Sequence, residues 1–148
     1  RSWRPVVVAG VSVFMLNLIV LILKLGLGRA SPNTADPSFF AGGMAYPSGH
    51  SANIVLVYGV AVYLLARYAS VSRRTVAVLC GVVGLLAVTM VVTSLTLNWH
   101  WFADLVAGLV VGGVVLELTV TTDRMVPAQS RPGWLRWPPA RPVDGLRG

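Results

Sequence analysis

Acidic side chains are nearly missing from this sequence. Five Asp and Glu stand against twelve Lys and Arg, and Lys24 is the single lysine in 148 residues. Charged residues make up 11% of the chain, far below the roughly one quarter usual in soluble domains, which excludes water as its sole solvent. Cysteine is reduced to Cys80, which excludes an intramolecular disulfide and leaves the redox compartment open; its place inside an apolar run reads as a packing position. The sequence begins at Arg1, and no short apolar stretch ends in a small-residue cleavage site, so no signal peptide is read. Internal repeats are absent. A net charge of +7 would suit nucleic acid, but the arginines sit at the ends of apolar runs and near the C-terminus instead of forming one basic face. They read as topology and membrane-surface charges, with no nucleic-acid partner.

What the sequence has in abundance is apolar length. Hydrophobic residues make up 55% of it, and apolar runs occur at Val6 to Leu23, Ser51 to Ala66, Thr75 to Leu97 and Trp101 to Thr122. Each approaches the roughly 20 residues that cross a bilayer as a helix. The second run becomes long enough if its helix starts at Ser48, a good N-cap preceded by Pro47. Four runs with almost no polar face between them argue against a water-soluble bundle. The expectation is an all-α transmembrane bundle of four spans. A membrane-embedded domain would occupy residues 1–122 and a Pro/Arg-rich cytoplasmic tail residues 123–148, with Trp134 and Trp137 as interface anchors. Gly81 and Gly84 in the third span, and Gly108 and Gly112 in the fourth, are expected to let helices approach closely.

Arginines fix the expected orientation. Arg1 and Arg4 precede the first span, Arg67, Arg73 and Arg74 join the second to the third, and Arg124, Arg131, Arg136, Arg141 and Arg147 follow the fourth. Those ends are expected in the cytoplasm, and residues 24–47 together with Asn98 and Trp99 on the opposite side. Few lysines beside many arginines, with abundant valine, glycine and alanine, suit a G+C-rich bacterial genome and hence a bacterial plasma membrane.

Lys24, both histidines (His50 and His100) and Asp104 all map to the non-cytoplasmic ends of spans, and polar residues so placed are candidates for function. Residues 47–51 read Pro-Ser-Gly-His-Ser at a helix start, which presents free backbone N–H groups, the Ser48 hydroxyl and an imidazole to one point suited to a phosphate. Gly49 leaves the approach to the backbone open. The same segment would equally serve as an ordinary N-cap followed by an interface histidine. His100 and Asp104, four apart at the start of the fourth span, would share one helical face, the carboxylate bonding one ring nitrogen and leaving the other as nucleophile or base. A polar contact at the bilayer surface is the alternative. Lys24, and Arg29 within a stretch containing Gly26 and Gly28 that can fold back, could neutralise a phosphate, although Lys24 could also simply snorkel.

Lys24 to Pro32, Pro47 to His50 and Thr93 to Asp104 together resemble, in order, the three signature motifs of the type 2 phosphatidic acid phosphatase superfamily, which includes lipid phosphate phosphatases and vanadium haloperoxidases. The family's second motif, Pro-Ser-Gly-His, is matched completely; the first, lysine then six residues then Arg-Pro, has Ser31 in the arginine position; the third, Ser-Arg then five residues, histidine, three residues and aspartate, has Thr93 and Ser94 for Ser-Arg. The resemblance covers residues 5 to 120. It implies an acid phosphatase/vanadium haloperoxidase-like helical core and a metal-independent, cofactor-free phosphatase acting on a lipid phosphate monoester or polyprenyl pyrophosphate. His100 would attack phosphorus, Asp104 would hold it, His50 would protonate the leaving alkoxide, and Lys24, Ser48 and the Gly49 backbone would hold the phosphate oxygens. Arg29, two residues before the vacant arginine position, would be a replacement phosphate ligand. The family has two helices before the first motif where one span precedes Lys24 here, so N-terminal helices are expected to be missing.

Three competing readings follow. Loss of both arginines would suit a non-catalytic binder of a phospholipid headgroup or a protein. A proton or anion channel is disfavoured because the histidines sit at one membrane face. Haloperoxidase chemistry gains nothing from four spans.

Overall fold

The computed structural model describes residues 3–69 and 71–126, and among them there are helices and loops but no strand. Four long helices carry the fold: α1, Arg4–Leu27; α2, Gly49–Tyr68; α3, Arg73–Thr96; and α4, Phe102–Met125. All four are long and apolar enough to cross a membrane, since the 20 residues of α2 rise about 30 Å and the 24 of each other helix about 36 Å, against a hydrocarbon thickness of about 30 Å. The expected all-α bundle of four spans is therefore what forms. Ser48 is the N-cap of α2, its Oγ accepting from the Ser51 amide at 3.4 Å. The proline- and arginine-rich tail over residues 127–148, with Trp134 and Trp137 as expected interface anchors, lies outside the described residues, as does Arg1.

α1, α2 and α4 make the core. Leu16 and Val20 of α1 meet Ala52, Leu56 and Val60 of α2 and Val115 of α4. Within lipid, apolar burial gains little over contact with acyl chains, so close backbone approach has to hold the helices together. Gly108 and Gly112 provide it, because a Cβ at either position would overlap the main chain of α2, at the Ser48 and Ala52 carbonyl oxygens. Polar glue adds to this between α1 and α2, where the Asn17 and Asn53 amides exchange hydrogen bonds of 3.3 and 3.5 Å. Just beyond Asn53, residues Ile54–Tyr58 widen into a π-helical turn.

α3 departs from expectation. Ser94 is its only buried residue among those described, Gly81 and Gly84 have nothing within 4 Å of an added Cβ, and Cys80 is exposed. None of these three residues packs against another helix. A transmembrane helix is apolar on both its lipid-facing and its protein-facing sides, so its composition does not say which face is buried.

α4 also continues past the boundary expected after residue 122. Asp123 is buried, and its carboxylate is the hub of the end opposite Lys24. Arg4 Nε donates to Asp123 Oδ1 at 2.6 Å, Tyr63 Oη donates to Oδ2 at 2.6 Å and Tyr68 Oη to Oδ2 at 3.3 Å. Arg4, read from sequence as a topology charge, thus ties the start of α1 to the end of α4, with α2 joined through its tyrosines. A groove of about 420 Å³ between α1 and α4 runs to this cluster, lined mainly by Val7, Val11, Met15 and Leu118; it does not include Lys24, His50 or His100.

Replacing Asp123 with Ala leaves the buried Arg4 guanidinium without its carboxylate, and breaking a buried pair in this way costs about 3–5 kcal/mol. Asp123→Ala is therefore expected to lower the thermal unfolding midpoint in detergent sharply, whereas a midpoint equal to that of wild type would show that the cluster does not hold the bundle.

Candidate active site

The polar end is assembled by the segment between α1 and α2, which doubles back over the helix ends. Gly28 closes α1 in the left-handed region (φ 48°), its amide donating to the Lys24 carbonyl at 2.9 Å. The returning strand of loop then runs beside residues 27–29: the amides of Phe40, Gly43 and Ala45 donate to the carbonyls of Leu27, Gly28 and Arg29 at 2.7, 2.9 and 2.9 Å. Only glycine fits at position 43, where a Cβ would overlap the Arg29 carbonyl. The fold-back anticipated from the glycines of this stretch is present, with Gly28 and Gly43 as its working positions.

Lys24 lies in the last turn of α1 and its Nζ donates to the Met44 carbonyl. Ser48 is fully buried, and its amide donates to the Asp104 carbonyl at 2.9 Å, so the starts of α2 and α4 are joined directly. His50 sits in the first turn of α2 with its side chain exposed. Its ring has no hydrogen-bond partner among the described residues.

His100 is not on α4. Trp101 is the N-cap and Asp104 is the third residue of the helix, so the histidine precedes the helix and meets Asp104 across its first turn. Asp104 is fully buried and its two oxygens are already engaged: Oδ1 accepts from Arg29 Nη1 at 2.7 Å, and Oδ2 from the Trp101 amide at 2.9 Å. His100 Nδ1 approaches Oδ2 at 3.6 Å, beyond hydrogen-bond range, and is buried without a partner. The anticipated His–Asp hydrogen bond is thus open, because a helix-start amide and a guanidinium hold the carboxylate first.

Arg29 is buried. Its Nε donates to the Pro37 carbonyl at 3.1 Å, and its guanidinium lies over the rings of Phe39 (4.9 Å) and Trp101 (5.4 Å). Trp101 is anchored in turn by Nε1 donating to the Ala30 carbonyl at 3.1 Å. Phe39 and Trp101 were not singled out in the sequence; the adjacency of Trp101 to His100 was the one available signal. The two vacated arginine positions differ in setting. Ser31 caps the short 3-10 turn Pro32–Thr34, and Ser94 is buried with its Oγ bonded to Met90 Sδ at 3.2 Å.

The arrangement can hold an anion and present a neutral imidazole to it. Burial pushes the His100 imidazole below its ordinary value, against the opposing pull of the Asp104 carboxylate; the Lys24 ammonium lowers it further and the Ala45 carbonyl raises it. No group of three or more His, Cys, Asp or Glu able to hold a metal ion occurs among the described residues.

Comparison with known proteins agrees with this architecture. A family model described as the PAP2 superfamily matches residues 5–126. Phosphatidylglycerophosphatase B of Bacillus subtilis (strain 168) is 26% identical over 110 residues, covering 74% of this chain and 54% of that protein. The chain therefore spans about half the length of the curated relative it matches. No solved structure gives a significant match.

A proton balance follows from the His100 shift. Between the depressed folded value and the ordinary 6.5, the unfolded chain binds a proton that the folded chain does not. Stability linked to neutral His100 is thus complete above the ordinary value and is lost as pH falls through the folded one. An NMR titration of the His100 ring in detergent is expected to give a midpoint below 6.5; a midpoint at or above it would contradict the burial and Lys24 contributions.

Proposed function

Because the chain belongs to the PAP2 superfamily, we propose that it is a membrane phosphatase that hydrolyses a lipid phosphate monoester or polyprenyl pyrophosphate, with its active site on the extracytoplasmic side. The observation that carries this reading is the gathering of Lys24, Ser48, His100 and Asp104 at one end of the bundle, with the start of α2 bonded to α4 through Ser48 and Asp104. The B. subtilis relative, whose name states a phosphatidylglycerophosphatase activity, supports a phospholipid substrate. Spans on either side of the polar end would let the lipid tail stay in the bilayer while its phosphate reaches the site.

In the proposed reaction His100 attacks phosphorus through a ring nitrogen, a P–N bond forms, and the P–O bond to the leaving group breaks, an alkoxide from a monoester or a polyprenyl phosphate from a pyrophosphate. His50 delivers a proton to the leaving oxygen. Water then attacks the phosphohistidine, giving a proton back to His50 as the P–N bond breaks, and inorganic phosphate leaves with His100 restored. Lys24, the Ser48 hydroxyl and the Gly49 backbone meet the non-bridging oxygens, as fixed positive charge and N–H donors aimed at the charge of the transferring phosphoryl group. Asp104 stabilises the imidazole as it gains charge. Neither a metal nor a cofactor has a part in these steps.

One observation favours a second reading. Ser94 is buried against Met90, so the position where the family motif has arginine offers no cation, and a non-catalytic relative that retains a phospholipid headgroup or a partner protein is the alternative.

Phosphate release in detergent from phosphatidic acid, phosphatidylglycerophosphate and polyprenyl pyrophosphate tests the first reading. Wild type is expected to exceed His100→Ala by at least about 1,000-fold, the scale of losing a nucleophile; equal release by the two proteins removes His100 from the chemistry. For the alternative, Ser31→Arg with Ser94→Arg would create hydrolysis from a silent wild type, and robust wild-type turnover rules it out.

A further inference from the structure

Arg29 is the most tightly held cation of the polar end. Three constraints act on one side chain: Nη1 donates to Asp104 Oδ1 at 2.7 Å, Nε to the Pro37 carbonyl at 3.1 Å, and the guanidinium plane lies over Phe39 and Trp101. A residue meant to grip an incoming phosphate gains from keeping its fork of donors free, because bidentate contact is what distinguishes arginine as an anion ligand. Here a fully buried carboxylate already occupies one arm of that fork.

The consequence lies at His100. Asp104 Oδ1 is committed to Arg29 and Oδ2 to the Trp101 amide, so each oxygen of the carboxylate has its own anchor. Its Oδ2 is thereby left facing the buried, unpartnered His100 Nδ1 at 3.6 Å. We infer that Arg29 is a positioning residue that acts on His100 through Asp104, and does not serve as the substitute phosphate ligand that its place in the sequence suggests. The inference rests on the hydrolase reading above.

When His100 takes the phosphoryl group its ring becomes cationic, and a small movement closes the Nδ1–H to Oδ2 hydrogen bond at the moment the carboxylate is needed. Arg29 keeps the carboxylate in place for that step. Lysine could supply the charge at position 29. It could not bond Asp104 and the Pro37 carbonyl together while stacking between two rings.

Kinetics of the full chain in detergent, with phosphatidic acid as substrate and inorganic phosphate as competitive inhibitor, separate the two roles. In Arg29→Gln, kcat is expected to fall roughly 100-fold, the effect of misplacing a reacting group by about 1 Å, with KM and the inhibition constant of inorganic phosphate nearly unchanged. Arg29→Lys should recover part of kcat. The double variant Arg29→Gln with Asp104→Asn should be no slower than the slower single variant, because both act through one carboxylate. Adding Ser31→Arg to Arg29→Gln should restore nothing.

A raised inhibition constant for inorganic phosphate in Arg29→Gln, or recovery of rate by Ser31→Arg, would overturn the positioning role and make Arg29 a phosphate ligand while leaving the hydrolase reading intact. If Arg29→Gln does not fold, Arg29→Lys decides the question by the same split between kcat and phosphate inhibition. A wild type that releases no more phosphate than His100→Ala overturns the hydrolase reading, and this inference with it.

Discussion

A carboxylate removed completely from solvent has to be paired, and the polar end of this bundle is arranged around that requirement. Asp104 is fully buried, where an isolated charge would cost far more than any contact around it returns. Its oxygens are met by the Arg29 guanidinium and the Trp101 amide, and its carbonyl accepts from the Ser48 amide. Those three bonds fasten the loop after α1, the start of α2 and the start of α4 to one residue. The aromatic clamp on Arg29, the fold-back over Gly28 and Gly43, and the close approach of α4 to α2 at Gly108 all follow from, or permit, that junction.

The opposite end repeats the solution with different residues. Asp123 collects Arg4, Tyr63 and Tyr68, so α1, α2 and α4 are fastened at both extremities by buried carboxylates. Between the two junctions the helices are joined mainly by small residues, apolar packing and the Asn17–Asn53 contact. The candidate site thus occupies one end of a three-helix frame with α3 alongside.

The fold was legible because the bilayer allows few solutions: an apolar run near 20 residues must be a helix, and Ser48 had the side chain to cap one. The motif residues were legible because a histidine, a lysine and an aspartate are rare enough in such a chain to stand out. Partnership was not. Sequence spacing put His100 and Asp104 on one helical face, yet Trp101 ends the loop one residue later and leaves His100 outside the helix. Arg29 was seen as a cation near a phosphate site, while its commitment to Asp104 depends on a loop path that returns through Pro37 and Phe39. Asp123 and Arg4, 119 positions apart, were read as tail and topology charges because no local pattern links them. Cys80, Gly81 and Gly84 face outward where the sequence suggests packing, since helices facing lipid and helices facing protein draw on the same apolar residues.

Vanadate adopts the five-coordinate geometry of a phosphoryl group under attack, so a crystal structure of the protein with vanadate bound interrogates the site most directly. The account predicts vanadium bonded to a ring nitrogen of His100, its oxygens contacted by Lys24 and Ser48, His50 on the side of the leaving group, and Arg29 still bonded to Asp104. Vanadate bound away from His100, or Lys24 and His50 directed to different places with no anion between them, would contradict it.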